Sequence, residues 1–258
     1  MKDLLTDKVV LISGGTEGLG AGIARAAARE GATVVLTGRR IEPGKRFEAE
    51  LTERGASALF VQTDVADPAQ AAAAVDATVT AFGRVDCLVN ACGLTDRGTL
   101  VDTSVELFDR HIAVNLRGPF FTMQAAVGDM LRRGAPGTIV NVISIAELGG
   151  QPYLAPYVAA KAGLAGLTRN AAHAHRWDRI RINGLDIGWT LTEGEDATQR
   201  TVHGAGDDWV EKANASVPMG LGHVDEIADA VVFLLSERSG VVTGSVLDWD
   251  QQVAGGSD

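Results

Sequence analysis

Cysteine is scarce in this chain: Cys87 and Cys92 are the two among 258 residues. That scarcity excludes a disulfide-stapled scaffold and a cysteine-rich metal cage, and no metal ligand set is expected. Both thiols fall in or beside an apolar run, so they read as reduced, buried thiols of a cytoplasmic protein. Aromatic residues make up 5% of the chain, which argues against a bulky, steroid-like pocket. There is no block of Lys or Arg, and the formal net charge is −10. A nucleic-acid partner is therefore not expected. No apolar run reaches the roughly 20 residues that a membrane-spanning helix needs, so no membrane partner is expected. The opening Met1-Lys2-Asp3-Leu4-Leu5-Thr6-Asp7-Lys8 lacks the apolar stretch of a secretory signal. Nor does any repeat, low-complexity tract or linker divide the sequence. With 46% hydrophobic and 22% charged residues, the chain can bury a full core. It reads as one α/β domain over residues 1–258.

Apolar runs alternate with helical patterns. Strands are expected at 8–13, 33–37, 58–62, 86–90, 137–143, 180–185 and 245–249. Helices are expected at 19–30, 43–54, 68–82, 104–115, 119–132, 153–175 and 225–236. Asp67 caps the third helix, Pro68 opens it and Gly83 ends it. The alternation predicts a doubly wound parallel sheet of about seven strands with helices on both faces. The polar, Gly-rich stretch 188–219 breaks the pattern and reads as a substrate lid leaving the carboxyl end of a strand.

The chemistry is concentrated in three residues. Tyr157 and Lys161 are four apart, a spacing that puts both on one helix face, and Ser144 lies thirteen residues before the tyrosine. A phenol with a pKa of about 10 is a poor base at neutral pH. An adjacent ammonium favours the phenolate, and reaching about 7 would take roughly 4 kcal/mol. The serine hydroxyl can hydrogen-bond the substrate oxygen that the tyrosine protonates or deprotonates.

The first expected strand runs into Ser13-Gly14-Gly15-Thr16-Glu17-Gly18-Leu19-Gly20 and then a helix. Glycines at 14, 18 and 20 let the backbone turn tightly and approach a pyrophosphate at the helix N-terminus. Thr16, Glu17 and Leu19 complete that expected cofactor cradle. The second strand ends in Thr37-Gly38-Arg39-Arg40, where NAD-preferring folds carry an acid for the ribose 2′-hydroxyl. An arginine suits a 2′-phosphate instead. NADP is the expected cofactor, with NAD as the alternative; Glu17 opposes a phosphate there.

From about Lys8 to Asp250 the chain resembles the short-chain dehydrogenase/reductase superfamily. The resemblance is carried by Gly14-x-x-x-Gly18-Leu19-Gly20, Asp64-Val65, Asn90-Ala91-Cys92-Gly93, Asn115, Ser144, Tyr157-x-x-x-Lys161 and Ile187-Gly188-Trp189-Thr190-Leu191-Thr192. It departs from the family pattern at Ala91, Cys92 and Ile187. The resemblance implies a Rossmann-type fold and an NAD(P)-dependent oxidoreductase acting on CH–OH groups. Hydride would pass between nicotinamide and a secondary alcohol or ketone. It implies a catalytic tetrad of Asn115, Ser144, Tyr157 and Lys161, with Asn115 holding a water that links the lysine to solvent. Asp64 and Val65 would meet the adenine, Asn90 and Gly93 would flank the cofactor, and Ile187, Gly188, Thr190 and Thr192 would line its nicotinamide half. Lys161 would also bind the nicotinamide ribose. A homotetramer is the family's common assembly.

The substrate is weakly specified. Leu94, Glu147, Tyr153, Trp189, His203 and Trp209 are candidate lining residues, and an acid at Glu147 favours a sugar or polyol. His111, His173 and His175 read as helix-surface or interface residues. Two other readings are a catalytically silent dinucleotide-binding scaffold and a nucleotide-sugar epimerase-like enzyme. The intact tetrad argues against the first, and the short stretch after Thr192 argues against the second.

Overall fold

The computed structural model describes residues 3–253. The strands are β1 (Val9–Ser13), β2 (Thr33–Gly38), β3 (Ala58–Gln62), β4 (Cys87–Asn90), β5 (Gly137–Val142), β6 (Ile180–Ile187), β7 (Thr190–Leu191), β8 (Gly222–His223) and β9 (Val246–Trp249). The helices are α1 (Gly18–Arg29), α2 (Ile41–Glu53), α3 (Pro68–Phe82), α4 (Val105–Ile112), α5 (Gly118–Arg133), α6 (Ala155–His175), α7 (Glu193–Thr201), α8 (Trp209–Ser216) and α9 (Val224–Leu235). Seven strands form one sheet in the order β3-β2-β1-β4-β5-β6-β9, and β7 pairs with β8 alone. Every pairing in the large sheet is parallel.

The central strands are buried along their whole length because helices cover both faces. That is why Val9-Val10-Leu11-Ile12 is a continuous apolar run rather than an alternating one. On one face, Ile23, Phe47, Leu51 and Val231 carry α1, α2 and α9. On the other, Val75, Met123, Met130 and Ala172 carry α3, α5 and α6. Fully buried side chains such as Ile23 and Met130 each contribute about 1.5–3 kcal/mol of transfer free energy.

The strand order reverses between β1 and β4, whose last residues, Ser13 and Asn90, are paired neighbours. A crevice opens there, outside the carboxyl ends of the strands, where such sheets bind ligands. Local signals end the elements as expected. The Asp67 carboxylate accepts from the Ala69 N–H at 2.9 Å, and Gly83 closes α3 at φ 79°.

Two segments differ from the sequence expectation. The helices expected at 104–115 and 119–132 are joined through a π turn at Ala113–Arg117, so the chain stays helical between them. Pro119 has no N–H to return to the Asn115 carbonyl, which the wider turn absorbs. The 188–219 lid, expected as loop, contains α7, α8 and β7. Thr192 caps α7 by accepting from the Glu195 N–H at 3.0 Å, and Trp209, Ala213 and Leu221 give α8 a small core of its own.

Candidate active site

The site is built where β5, α6 and the segment after β6 converge. Ser144 follows β5, and its Oγ accepts from the Ala146 N–H at 3.3 Å. That leaves its O–H free to donate toward the neighbouring Tyr157. Tyr157 and Lys161 project from one face of α6, both buried, with the Lys161 ammonium 5.6 Å from the phenol ring centroid. The ammonium donates to the Val142 carbonyl at 2.8 Å. Asn115 sits in the π turn, where its Oδ1 accepts from the Leu94 N–H at 2.8 Å and its Nδ2 donates to the Leu94 carbonyl at 2.9 Å. Its side chain thus clamps the loop after β4.

The electrostatics run against the expected lowering of the tyrosine pKa. Burial pushes Tyr157 up to about 12; Ser144, within hydrogen-bonding reach, and the charge of Arg97 pull it down, while Asp186 pushes it further up. Burial also takes Lys161 down to about 8, against the pull of Cys92 and Asp186. For Tyr157, burial outweighs the hydrogen bond and the charge that favour the phenolate. The phenol therefore holds its proton at neutral pH.

His111 corrects the sequence reading. It is fully buried rather than at the surface. Its Nε2 meets the Asp96 carbonyl at 3.1 Å, and its Nδ1 faces the Asn115 amide at 3.2 Å. The imidazole is thus a donor at Nε2 and an acceptor at Nδ1, with its edge toward the Tyr157 ring. Burial lowers its pKa. The signal in the sequence was its i, i+4 spacing from Asn115. His175, by contrast, pairs with Asp178 at the end of α6, 3.0 Å away.

Asp186 was also missed. It is completely buried on β6, and both carboxylate oxygens lack a hydrogen-bond partner among the described residues. Burial, then the charges of Glu147, Asp248 and Asp250, raise it to about 7, with Lys161 opposing. Glu147 does not line the main cavity, in contrast to its expected substrate contact. Its carboxylate turns to Arg169 on α6, 3.8 Å away.

A cavity of about 1180 Å³ opens over Ser144 and Tyr157. Tyr153, Trp189 and His203 line it, as do Ile187, Gly188, Thr190 and Thr192. Leu94 and Trp209 do not; Trp209 is buried behind Trp189, ring stacked on ring. Trp189 Nε1 donates to Glu195 at 2.7 Å. A second hollow of about 830 Å³ is lined by Thr16, Glu17 and Gly18 of the glycine turn and also by Thr192. Thr192 is the border shared by the two.

The residues at the switch point fit a dinucleotide. A Cβ on Gly14 would lie 2.7 Å from Cys92 Sγ, and one on Gly20 would lie 2.0 Å from the Gly14 carbonyl oxygen, so this turn takes no side chain. Gly93 borders open space, and Asn90 Oδ1 is buried with no partner among the described residues. Leu19 follows Gly18 in the first turn of α1. Asp64 Oδ1 accepts from the Ala66 N–H at 3.0 Å, and Val65 is buried against Gly118. Arg40, not Arg39, pairs with Glu17, which neutralises the acid expected to oppose a phosphate. Arg39 is exposed and has no carboxylate partner within 4.0 Å among the described residues.

No helix among the described residues is long and apolar enough to cross a membrane. Residues 14–251 match the family model described as Enoyl-(Acyl carrier protein) reductase. An uncharacterized oxidoreductase of Thermotoga maritima is 38% identical over 94% of this chain and 96% of its own length. An L-rhamnose 1-dehydrogenase (NAD(P)(+)) of a Sphingomonas species is 36% identical over 95% of each chain. The crystal structure of levodione reductase superposes with a TM-score of 0.88 at 33% identity, covering 95% of this chain and 97% of its own. Similarity in sequence and fold over nearly the whole length means that the chain belongs to the short-chain dehydrogenase/reductase superfamily.

Proposed function

We propose that the protein is an NADP-dependent oxidoreductase that interconverts a secondary alcohol and a ketone on a hydroxylated substrate such as a sugar or polyol, with Tyr157 as the acid/base. The observation that carries this reading is the grouping of Ser144 and Tyr157 on the main cavity, with Lys161 buried one helical turn from the tyrosine. The nicotinamide cofactor, when bound, supplies or accepts the hydride. Everything else is done by side chains. In reduction, Ser144 donates a hydrogen bond to the carbonyl oxygen and Tyr157 delivers its proton to the same atom. The charge of Lys161 then stabilises the phenolate left behind, which would otherwise be unpaired in a dry site. Oxidation runs the same steps in reverse. Asn115 keeps the Leu94 loop, and so one wall of the cavity, at a fixed distance from the phenol.

Gly14, Thr16, Gly18 and Leu19 would hold the pyrophosphate, Arg39 the 2′-phosphate, and Gly188, Thr190 and Thr192 the nicotinamide half. An acid at position 38 would meet resistance, because a Cβ there lies 2.7 Å from Thr16 Oγ1. Support for a hydroxylated substrate comes from the hydrogen-bonding side chains among a mixed lining: Gln151, Gln199, Asp248, Asp250 and Gln252. The test is absorbance at 340 nm with NADPH or NADH and a panel of ketoses and simple ketones, then NADP⁺ or NAD⁺ with the matching alcohols. Turnover faster with the phosphorylated cofactor is expected. Cofactor binding without turnover across the panel would overturn the reading.

A further inference from the structure

The main cavity is lined by charges of both signs. Arg97, in the loop after β4, lines it together with the acids Glu195, Glu226, Asp248 and Asp250. Arg97 is held in place from three sides. Its Nη1 donates to the Thr95 carbonyl at 2.6 Å, its Nη2 meets His203 Nε2 at 3.1 Å, and its guanidinium lies 5.6 Å from the Tyr153 ring centroid. His203 in turn sets its ring edge against Tyr153. A guanidinium has five N–H donors, and these bonds use only part of them. Nε is closed off from water and donates to nothing among the described residues.

The charge of Arg97 is also uncompensated. No carboxylate lies within 4.0 Å of it among the described residues, in a chain of 33 acidic residues. The nearby acids are already engaged. Asp96, its neighbour in sequence, pairs with Arg110. Glu195, which also lines the cavity, accepts from Trp189 and Gln199. An arginine fixed by neutral groups, with its charge facing a cavity, is the arrangement that receives an anion. That charge reaches the reacting phenol, which Arg97 pulls toward ionisation. Asp250 Oδ1 is buried and accepts nothing among the described residues. It is an acceptor placed for a hydroxyl donor.

We propose that Arg97, seated between Tyr153 and His203, anchors an anionic group of the substrate, which is a polyhydroxylated acid or phosphate ester. The anionic oxygens take the cavity-facing N–H groups of Arg97, the reacting oxygen sits on Ser144 and Tyr157, and distal hydroxyls donate to Asp250. This rests on reading Ser144, Tyr157 and Lys161 as the hydride-transfer site.

The experiment compares matched substrates in the full-length protein with saturating NADP⁺: D-glucitol, D-gluconate and D-glucitol 6-phosphate. The wild type should prefer an anion over the neutral polyol by at least about tenfold in kcat/KM, the scale of charge-assisted hydrogen bonds. Whether gluconate or the phosphate ester is preferred tells which anion fits. Arg97→Met should lower the anion-to-neutral ratio at least about tenfold, and Arg97→Lys should restore part of it. Quenching of tryptophan fluorescence by the same three compounds, read through Trp189 in the cavity wall, measures binding without turnover. An anion-dependent quench lost in Arg97→Met, with no turnover of any compound, would sink the hydride-transfer reading and leave the Arg97 site standing. Turnover with no anion preference, an unchanged ratio in Arg97→Met, or no anion-dependent quench would overturn the Arg97 site.

Discussion

The two walls of the main cavity are made of different material. The wall formed by β5 and α6 is dry: Val142, Tyr157, Lys161 and Leu164 are all buried, and Lys161 is tied to the backbone of β5. The facing wall, made by residues 188–222 and the end of β9, is wet. Trp189, Met219 and Trp249 are exposed, and its links are between charged or polar side chains, such as Arg200 with Asp196 and Trp189 with Glu195. The dry wall can move a proton to a fixed point, because its groups have one arrangement each. The wet wall can change composition without disturbing the sheet. Chemistry and selection are thus carried by separate parts of one hollow, and substitutions on the two sides should fail differently.

The largest effect should come from the dry wall. Tyr157→Phe removes the proton donor and keeps the ring, so kcat should fall by about 10²–10⁴-fold while cofactor affinity changes little. Stopped-flow or steady-state rates set beside cofactor titration check this. More than a tenth of the wild-type kcat would show that the proton comes from elsewhere. Lys161→Ala separates two roles, because it should lower kcat and also weaken cofactor binding. A loss in kcat alone would remove the ribose contact.

A smaller effect is expected at an exposed position. Arg39→Ala should weaken NADP binding by about ten- to a hundredfold, the range of a hydrogen bond to a charged group, and leave NAD binding nearly unchanged. Solvent exposure of Arg39 puts the result toward the low end. Titrating both cofactors against both proteins decides it. Equal losses for the two cofactors, or tighter NAD binding by the wild type, would make the contrast with Lys161 meaningless.

The smallest effect probes the seam between the walls. Asp186 is raised from 3.8 to about 7, so in the folded protein it keeps its proton where the unfolded chain has lost it. Its ionisation then favours unfolding progressively as pH rises from about 4 to about 7. Asp186→Asn lacks that proton. Relative to wild type, its Tm should therefore rise between pH 5 and pH 8 by a few degrees, at roughly 2–4 °C per kcal/mol for a chain of this size. A Tm gap that is the same at both pH values would mean that Asp186 is ionised throughout.

Local signals made much of this legible in the sequence. The bounds of β3, and of α3 with its Asp67 cap and Gly83 stop, follow from residues that act within one turn of the chain. The i, i+4 pairing of Tyr157 and Lys161 is a property of any helix. What sequence did not show depends on partners distant in the chain. Tyr157 is pushed upward by burial, and the groups that act on its charge, from Arg97 to Glu195, come from separate elements that no local spacing reports. Glu147 turns away from the cavity because Arg169 is there to meet it. His111 lies under the loop that Asn115 clamps, so a residue with a surface pattern is enclosed. The 188–219 segment reads as loop because its helices are short and its core is small: Trp209 and Ala213 with Leu221 just beyond the segment, and Leu191 packed against them from its start.

The π turn at Ala113–Arg117 carries one extra residue in the helical path. At 3.6 residues per turn, each residue is worth about 100° of rotation. The face that α4 turns inward is therefore out of phase with that of α5 by about that angle, and a heptad or amphipathic reading taken across the junction describes neither. A single-residue deletion within the turn would restore an ordinary helix and at the same time swing His111 off its partners. The site thus depends on a count of residues as well as on their identity, and shortening is more damaging there than substitution.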